Sequence, residues 1–142
     1  MYDIIKFSTN NPLFSAPAFE IRRKVFVEEQ NVPAEEEFDE FEEDSQHFLA
    51  LLNDLPLGTA RWRFTDYGIK LERFAVIKEY RNKNVGHALL TSVLEEVKPY
   101  NKTIYIHAQV PALKFYERFG FIIKGALFIE CDIEHYMMVL DI

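Results

Sequence analysis

The sequence predicts a mixed α/β fold with a mostly antiparallel sheet and one parallel crossover. Residues 47–77 contain three apolar stretches separated by turn signals, which is typical of an antiparallel meander. Residues 69–109 follow the order strand, loop, helix, strand, which is typical of a βαβ crossover. The 142 residues are 49% hydrophobic, so we expect a single domain over 1–142 with a substantial core.

Elements in the first half of the chain are assigned from apolar periodicity and from the turn residues that bound each stretch. They are, in order, strand YDIIKF (2–7), helix SAPAFEIRRKVFVEEQ (15–30), loop or short acidic helix NVPAEEEFDEFEEDSQ (31–46), strand HFLALLND (47–54), turn LPLG (55–58), strand TARWRFTD (59–66) and strand IKLERFAVI (69–77).

In the second half, Val85, Leu89, Val93 and Val97 recur at the helical period, and Pro99 ends that central helix. Three strands and one helix follow: strand KTIYIHAQ (102–109), helix PALKFYERF (111–119), strand FIIKGALFIE (121–130) and strand EHYMMVLDI (134–142). The expected sheet therefore has about six or seven strands, with helices on both faces.

The net charge of -7 is concentrated in one segment. Residues 28–44 contain ten acids and no Lys or Arg, whereas the remainder carries 13 acids and 16 bases. An acidic chain without a basic stripe argues against nucleic-acid binding. The acidic segment is interpreted either as a patch that attracts a cationic amine or as a solvated loop.

The cysteine content and the length of the apolar segments predict the cellular compartment of the protein. Cys131 is the one cysteine, so no disulfide framework forms within the chain. The first residues, MYDIIKFSTN, show no basic leader before an apolar stretch, and no segment reaches the roughly 20 apolar residues that span a bilayer. We expect a cytoplasmic protein without membrane partners.

The stretch RNKNVGHALL (81–90) leaves a strand and enters the central helix. Unpaired N–H groups and the helix dipole favour an anion at such a place, most often a phosphate. Gly86 lets a ligand approach the backbone, and Arg81 and Lys83 add positive charge. A solvated basic turn is the alternative. The Gly-Lys-Ser/Thr ending of a P-loop is absent, and only one of the three glycines of a dinucleotide fingerprint is present.

The same stretch resembles the signature Q/R-x-x-G-x-G/A of the GCN5-related N-acetyltransferases. Arg81 stands at the first position and Gly86 at the last, and Asn84 replaces the usual glycine with the residue next most tolerant of left-handed geometry. The resemblance implies that loop amides hold the pyrophosphate of acetyl-CoA. The residues that it places around the phosphates are Arg81, Asn82, Lys83, Asn84, Val85, Gly86 and His87.

Two further resemblances cover nearly the whole chain. PALKFYERFGF is similar to the later A-x-x-F-Y-x-x-x-G-F motif of the same family. The segments IRRKVFVEEQNVP, GTARWR, LERFAV, HAQ and FIECDIEHYMM together resemble the ElaA-type branch. The branch specifies the acetyl donor better than the acceptor.

The resemblance implies roles for individual residues. Phe74, Ala75 and Val76 would bind the pantetheine arm along their strand, and Tyr116 would be the general acid that protonates the leaving thiolate. Gln109 would orient substrate or cofactor. The base stays open between water and five side chains, Glu28, Glu29, Glu72, His107 and His135. From composition alone, Tyr116 is interpreted as a core aromatic of an amphipathic helix, and the family motif favours the catalytic role instead.

The resulting hypothesis is an acetyl-CoA-dependent N-acetyltransferase that acts on a primary amine of a small molecule, peptide or protein. The alternative is a non-catalytic acyl-CoA-binding regulatory domain whose acidic loop docks a basic partner. A weaker hypothesis is acyl chemistry on Cys131, near His135. Asp39, Glu43, Asp44 and His47 match no known metal-site spacing, so no metal is expected. Phe-rich C-terminal strands are compatible with a homodimer and equally with a monomer.

Overall fold

The computed structural model describes residues 1–141 and contains a sheet of eight strands. The strand order is β1-β2-β3-β4-β5-β8-β6, and β7 also pairs with β8. Among the strands of the described residues, only β4 and β5 pair in parallel, which confirms the mixed, mostly antiparallel sheet. The strands are β1 Asp3–Phe7, β2 Gln46–Leu52, β3 Leu55–Phe64, β4 Ile69–Val76, β5 Ile104–Gln109, β6 Phe121–Ile123, β7 Phe128–Glu130 and β8 Ile133–Leu140.

Helices cover both faces of this sheet, as the sequence predicts. They are α1 Pro12–Arg22, which continues as a π-helical segment Arg23–Glu29, then α2 Ala34–Glu37, α3 Val85–Val97 and α4 Leu113–Glu117. The apolar side of α3 packs with Leu57, Trp62 and Leu71 in the larger core. A second core joins α1 and the π-helical segment to Phe7 and Leu49. Within residues 1–141 no helix combines the length and apolarity needed to cross a bilayer.

Gly58 on β3 lets α3 approach the sheet closely. A Cβ built at this glycine would lie 3.0 Å from Ala75 O, Leu89 Cδ1 and Val85 Cγ1, so a side chain there would push these neighbours apart by a few tenths of an ångström. The N-terminal turn of α3 is therefore held directly against β3 and β4. This packing fixes the position of the loop that precedes the helix.

Strands β4 and β5 diverge at the centre of the sheet. They pair only between Ile69–Leu71 and Ile104–Ile106, although both continue past that point. Across the other edge of β4, the β3 register shifts between Thr59 and Arg61, and Arg73 has a positive φ of 59°. Such a bulge bends a strand and increases its twist. The result is a gap between the second halves of β4 and β5.

Three element boundaries predicted from the sequence are wrong. Residues 55–58 lie in β3, because the hairpin turn is Asn53–Asp54, where both φ angles are positive. Residues 121–130 form two short strands rather than one, separated at Gly125 with φ 100°. That split raises the strand number to eight. The first helix begins at Pro12 rather than at residue 15, because proline is favoured in the first helical turn.

Candidate functional site

Two cavities open from the gap between β4 and β5 and meet at three residues. The first, which we name the loop cavity, has a volume of about 780 Å³ and lies between the end of β4, residues 80–87 and α4. The second, the hairpin cavity, has a volume of about 190 Å³ and reaches the β7–β8 hairpin. Phe74, Ala112 and Tyr116 line both. The two cavities therefore adjoin at these residues.

The loop cavity brings together most of the residues predicted to bind a cofactor. Nine of them line it: Phe74, Ala75, Val76, Arg81, Asn82, Asn84, Val85, Gly86 and His87. Tyr116, predicted as the general acid, lines it as well. Lys83 does not line this cavity, because its ammonium lies over the Tyr80 ring, 5.1 Å from the ring centroid. Gln109 lines the hairpin cavity instead.

The N-terminus of α3 presents backbone donors to the loop cavity. Asn82 and Asn84 both adopt the left-handed conformation, with φ of 63° and 68°, so Asn84 supplies the geometry for which glycine is usual. The first bond of the helix runs from Ala88 N–H to the Asn84 carbonyl at 3.1 Å. The N–H groups of residues 85–87 precede it and have no partner within the helix. Together with the helix dipole they form a site for an anion.

Gly86 keeps the space between α3 and α4 open. A Cβ at this position would lie 3.4 Å from Phe115 Cζ and 4.0 Å from Val76 Cγ2. A methyl group there would occupy the corner where β4, the loop and α4 meet. Gly86 therefore widens the loop cavity at the level of the free amides.

Arg81 is held by two groups of the protein. Its Nε donates to the Val76 carbonyl at 2.9 Å, and its Nη2 donates to Glu29 Oε1 at 2.8 Å. The guanidinium thus links the end of β4 to the end of the π-helical segment. Arg81 supplies positive charge beside the cavity and also fixes the cavity wall.

Tyr116 is buried at the junction of the two cavities. Its ring packs edge-on against Phe74, with centroids 6.2 Å apart, and against Phe121 at 5.9 Å. No group within residues 1–141 forms a hydrogen bond with its hydroxyl. Burial raises the pKa of Tyr116, because a phenolate would be poorly solvated there. The hydroxyl is therefore a protonated donor at neutral pH.

The hairpin cavity has several polar groups on its wall. Gln109 Nε2 donates to Gln30 Oε1 at 2.8 Å, and His107 Nδ1 lies 3.5 Å from Glu130 Oε2. That contact is too long for a hydrogen bond, so the buried Nδ1 of His107 has no partner within the described chain. These groups line one wall, and apolar residues such as Phe26, Val32 and Ile106 complete the cavity.

Cys131 lies at the hairpin turn, where its thiol donates to Glu36 Oε2 at 2.9 Å. The Glu36 carboxylate, together with burial, raises the pKa of the Cys131 thiol to about 11. A thiol that stays protonated is a poor nucleophile. This environment gives no support to the hypothesis of acyl chemistry on Cys131.

A network of buried ion pairs holds the acidic segment against the sheet. Arg22 is 1% exposed and donates to Glu37 Oε2 at 2.8 Å and to both Glu42 carboxylate oxygens at 2.7 and 2.8 Å. Arg61 is 0% exposed and contacts Asp39 through two hydrogen bonds of 2.8 and 2.9 Å. The segment therefore forms a wall next to the hairpin cavity.

The network balances its own charge. Besides Arg22 and Arg61 it includes Arg63 and Arg73, so that four arginines meet four carboxylates, those of Glu37, Asp39, Glu42 and Glu72. Neither interpretation of the acidic segment from sequence anticipated this, because the arginines lie on other elements. The sequence did contain an indication of this network, because Arg61, Arg63 and Glu72 are charged residues on predicted strands.

The five candidate bases divide into two groups. Glu28 pairs with Arg23, and Glu29 pairs with Arg81, and neither lines the hairpin cavity. Glu72 lines it but accepts hydrogen bonds from Arg61 and Arg63. His107 and His135 also line it, and neither has an arginine partner among residues 1–141. In the part of the chain that the structure describes, no group of three or more His, Cys, Asp or Glu could hold a metal ion.

Comparison with known proteins matches this arrangement to one family. The family model described as "Acetyltransferase (GNAT) domain" matches residues 14–142. Bacillus subtilis YjcF, named an uncharacterized N-acetyltransferase, is 37% identical over 126 residues, which is 87% of this chain and 90% of the relative. Escherichia coli ElaA is 30% identical over 129 residues, which is 87% of this chain and 84% of the relative.

Solved structures agree with the sequence matches. The crystal structure of Escherichia coli ElaA superposes with a TM-score of 0.85 at 28% identity, and covers 98% of this chain and 99% of that one. A GNAT family acetyltransferase from Elizabethkingia anophelis, solved with acetyl-CoA bound, gives a TM-score of 0.75 at 16% identity and covers 99% and 98%. The second likeness concerns the fold alone.

Proposed function

This chain belongs to the GNAT acetyltransferase family, in its ElaA-type branch, and we propose that it transfers the acetyl group of acetyl-CoA to a primary amine. The acceptor is a small molecule or an amine of a peptide or protein, and residues 1–142 act as a single N-acetyltransferase domain. The observation that carries the proposal is the meeting of the loop cavity and the hairpin cavity at Tyr116.

Acetyl-CoA fits the loop cavity in size and in chemistry. A volume of about 780 Å³ lies within the range of ligand pockets. The free N–H groups of Val85, Gly86 and His87 would hold the pyrophosphate, with Asn82 and Asn84 shaping the loop. Proteins with this fold have been solved with acetyl-CoA and, in an aminoglycoside 6'-N-acetyltransferase, with coenzyme A.

The pantetheine arm would lie along β4, from Phe74 to Val76. Beyond Leu71 the edge of β4 that faces β5 has no strand partner within the described chain, so its backbone groups are available to a ligand. An extended arm can add to such an edge as a further strand would. This path leads from the amides of α3 to Tyr116, where the thioester would meet the hairpin cavity.

Tyr116 would act as the general acid. The amine nitrogen attacks the thioester carbonyl, the carbon–sulfur bond breaks, and the bonding electron pair leaves on sulfur. The Tyr116 hydroxyl gives its proton to this thiolate and regains a proton from the acetylated nitrogen. Burial raises the pKa of Tyr116, so the hydroxyl carries its proton at neutral pH.

The charges of the hairpin cavity favour a cationic acceptor. Four arginines offset the buried carboxylates of Glu37 and Glu72, together with those of Asp39 and Glu42. The carboxylates of Glu36 and Glu130 lie outside these ion pairs. Their two negative charges exceed the single positive charge of Lys70 on the same wall. A volume of about 190 Å³ suits a small amine or one amine side chain. Gln109 would orient the acceptor through its bond to Gln30.

Two further proposals concern the cellular location and the oligomeric state of the enzyme. We place it in the cytoplasm, because Cys131 is the single cysteine. We also propose a homodimer that forms along β6. Its outer edge pairs with no strand of the described residues, and its Ile122 is 52% exposed. Sedimentation equilibrium tests the dimer, and a monomer at micromolar concentration would contradict it.

The proposed function is tested by following thiol release from acetyl-CoA in the presence of a panel of primary amines. The expected result is saturable, amine-dependent release together with an acetylated product detected by mass spectrometry. Binding of acetyl-CoA without transfer to any amine would favour the regulatory alternative. The acidic segment gives that alternative little support, because Glu37, Asp39 and Glu42 are paired with arginines.

A further inference from the structure

His135 is held rigidly in the wall of the hairpin cavity. It lies in β8 between two partner strands, opposite Gln109 of β5 and Phe128 of β7. Its ring stacks on the Phe128 ring, with centroids 5.5 Å apart and planes 17° from parallel. The residue is 7% exposed and lines the hairpin cavity. Backbone pairing on both sides and ring stacking therefore fix the direction of the imidazole.

A backbone contact determines which nitrogen of His135 carries the proton. Nδ1 lies 2.7 Å from the Ile133 carbonyl oxygen. A carbonyl oxygen only accepts hydrogen bonds, so Nδ1 must be the donor. In the neutral ring Nε2 then has a free lone pair, and no group within residues 1–141 hydrogen-bonds to it. The contact with the Ile133 carbonyl therefore leaves Nε2 of the neutral imidazole as the proton acceptor.

His107, the other histidine of this cavity, lacks that arrangement. Its ring packs against the same Phe128, edge-on, with centroids 5.0 Å apart. Among the described residues its buried Nδ1 has no hydrogen-bond partner, and the Glu130 carboxylate lies 3.5 Å away. In the described part of the chain, no backbone carbonyl bonds to the His107 ring and selects its tautomer. The two histidines of the hairpin cavity therefore differ. The protein fixes a free lone pair on Nε2 of His135, and it does not fix one on His107.

We propose that His135 is the general base that deprotonates the acceptor amine. The inference rests on the proposed function. Nε2 takes one proton from the ammonium form of the acceptor, and the freed nitrogen lone pair attacks the thioester. Imidazolium then holds this proton until it passes to solvent, while Tyr116 exchanges a second proton between the acetylated nitrogen and the thiolate. The balanced products are an amide, a free thiol and one proton.

The test compares two acceptors of equal heavy-atom number at neutral pH. Propylamine is protonated there and needs a base, whereas O-ethylhydroxylamine is weakly basic and already neutral. His135→Gln should lower acetyl transfer to propylamine by about 100-fold, the order expected for general base catalysis, and transfer to O-ethylhydroxylamine by less than about threefold. His107→Gln is the matched variant and should change both rates by the same factor.

Two controls separate this inference from folding and from the proposed function. Acetyl-CoA binding heat should be the same for His135→Gln and wild type, which shows an intact fold. In ¹⁵N spectra of wild-type protein, His135 should carry its hydrogen on Nδ1, which requires neither a variant nor an acceptor. Equal loss with both amines, or a hydrogen on Nε2, overturns the inference and leaves the transferase intact. Transfer by wild type to no amine at all overturns both.

Discussion

Arg61 and Asp39 form a two-bond ion pair between the centre of the sheet and the acidic segment. Nη1 lies 2.9 Å from Oδ1 and Nη2 lies 2.8 Å from Oδ2, and the Arg61 side chain is completely buried. Arg73 adds a third contact to Asp39 at 3.0 Å. Because the same segment contributes Glu36 and Glu37 to the hairpin cavity, this pair connects protein stability to the shape of the acceptor site.

The first prediction concerns acid stability. Burial alone would raise the pKa of Asp39, but hydrogen bonds from Arg61 and the charge of Arg73 lower it to about 2. A carboxyl group whose pKa is depressed in the folded state stabilises the protein above its unfolded pKa of about 3.9, and this contribution disappears as pH falls through 2. Asp39→Asn should therefore lower the free energy of unfolding by about 2 kcal/mol or more at pH 7.

Urea unfolding at several pH values measures this effect. The difference between Asp39→Asn and wild type should shrink as pH falls from about 4 to 2. Glu43→Gln is the matched control, since Glu43 belongs to the same acidic segment but is exposed, and it should change stability by less than about 0.5 kcal/mol. A constant difference across that pH range would contradict the role of the ionised Asp39.

The second prediction concerns the corner of the loop cavity at Gly86. Gly86→Ala should weaken acetyl-CoA binding by roughly tenfold, because the added methyl group lies 3.4 Å from Phe115 where the diphosphate approaches the amides. Protein stability should hold or rise slightly, since alanine favours a helix over glycine by about 1 kcal/mol. Titration calorimetry and urea unfolding measure the two effects separately. Unchanged affinity would place the diphosphate elsewhere.

The third prediction concerns Tyr116. Tyr116→Phe removes the hydroxyl and keeps the ring that packs on Phe74 and Phe121. The turnover number should fall by about 100-fold with little change in acetyl-CoA affinity, because the lost group acts on the leaving thiolate. Tyr67→Phe is the control, since Tyr67 is 44% exposed and lines neither cavity. An unchanged turnover number for Tyr116→Phe would remove the acid assignment.

The fourth prediction concerns Cys131. Its thiol has a pKa of about 11 because of Glu36 and burial, so it should react slowly with iodoacetamide at neutral pH and faster above pH 10. Cys131→Ser should retain full acetyl transfer. Mass spectrometry after incubation with acetyl-CoA should show an unmodified Cys131. An acetyl group on this residue would revive the covalent hypothesis.

Several features were predictable because each depends on local chemistry. The central helix ends at Val97 as Pro99 indicates, and Asn84 adopts the left-handed conformation expected where glycine is usual. The βαβ crossover follows from the switch between strand and helix periodicity. In each case the residues that determine the structure are adjacent in sequence.

Other features depend on residues far apart in the chain. The pairing of Asp39 with Arg61 and Arg73 joins three elements, and a run of acids without these partners has the composition of a solvated loop. The bulge at Arg73 could not be predicted from the sequence, because arginine seldom adopts a positive φ. The proton position on His135 depends on the folded backbone of Ile133, which no residue pattern encodes.

The most direct test of the transferase account is calorimetric titration of the folded wild-type protein with acetyl-CoA. The account predicts saturable heat for one molecule per chain, with an affinity of roughly micromolar order. It also predicts weaker binding by Gly86→Ala. A folded protein that gives no saturable heat with acetyl-CoA would contradict the role of the loop cavity and, with it, the proposed transfer.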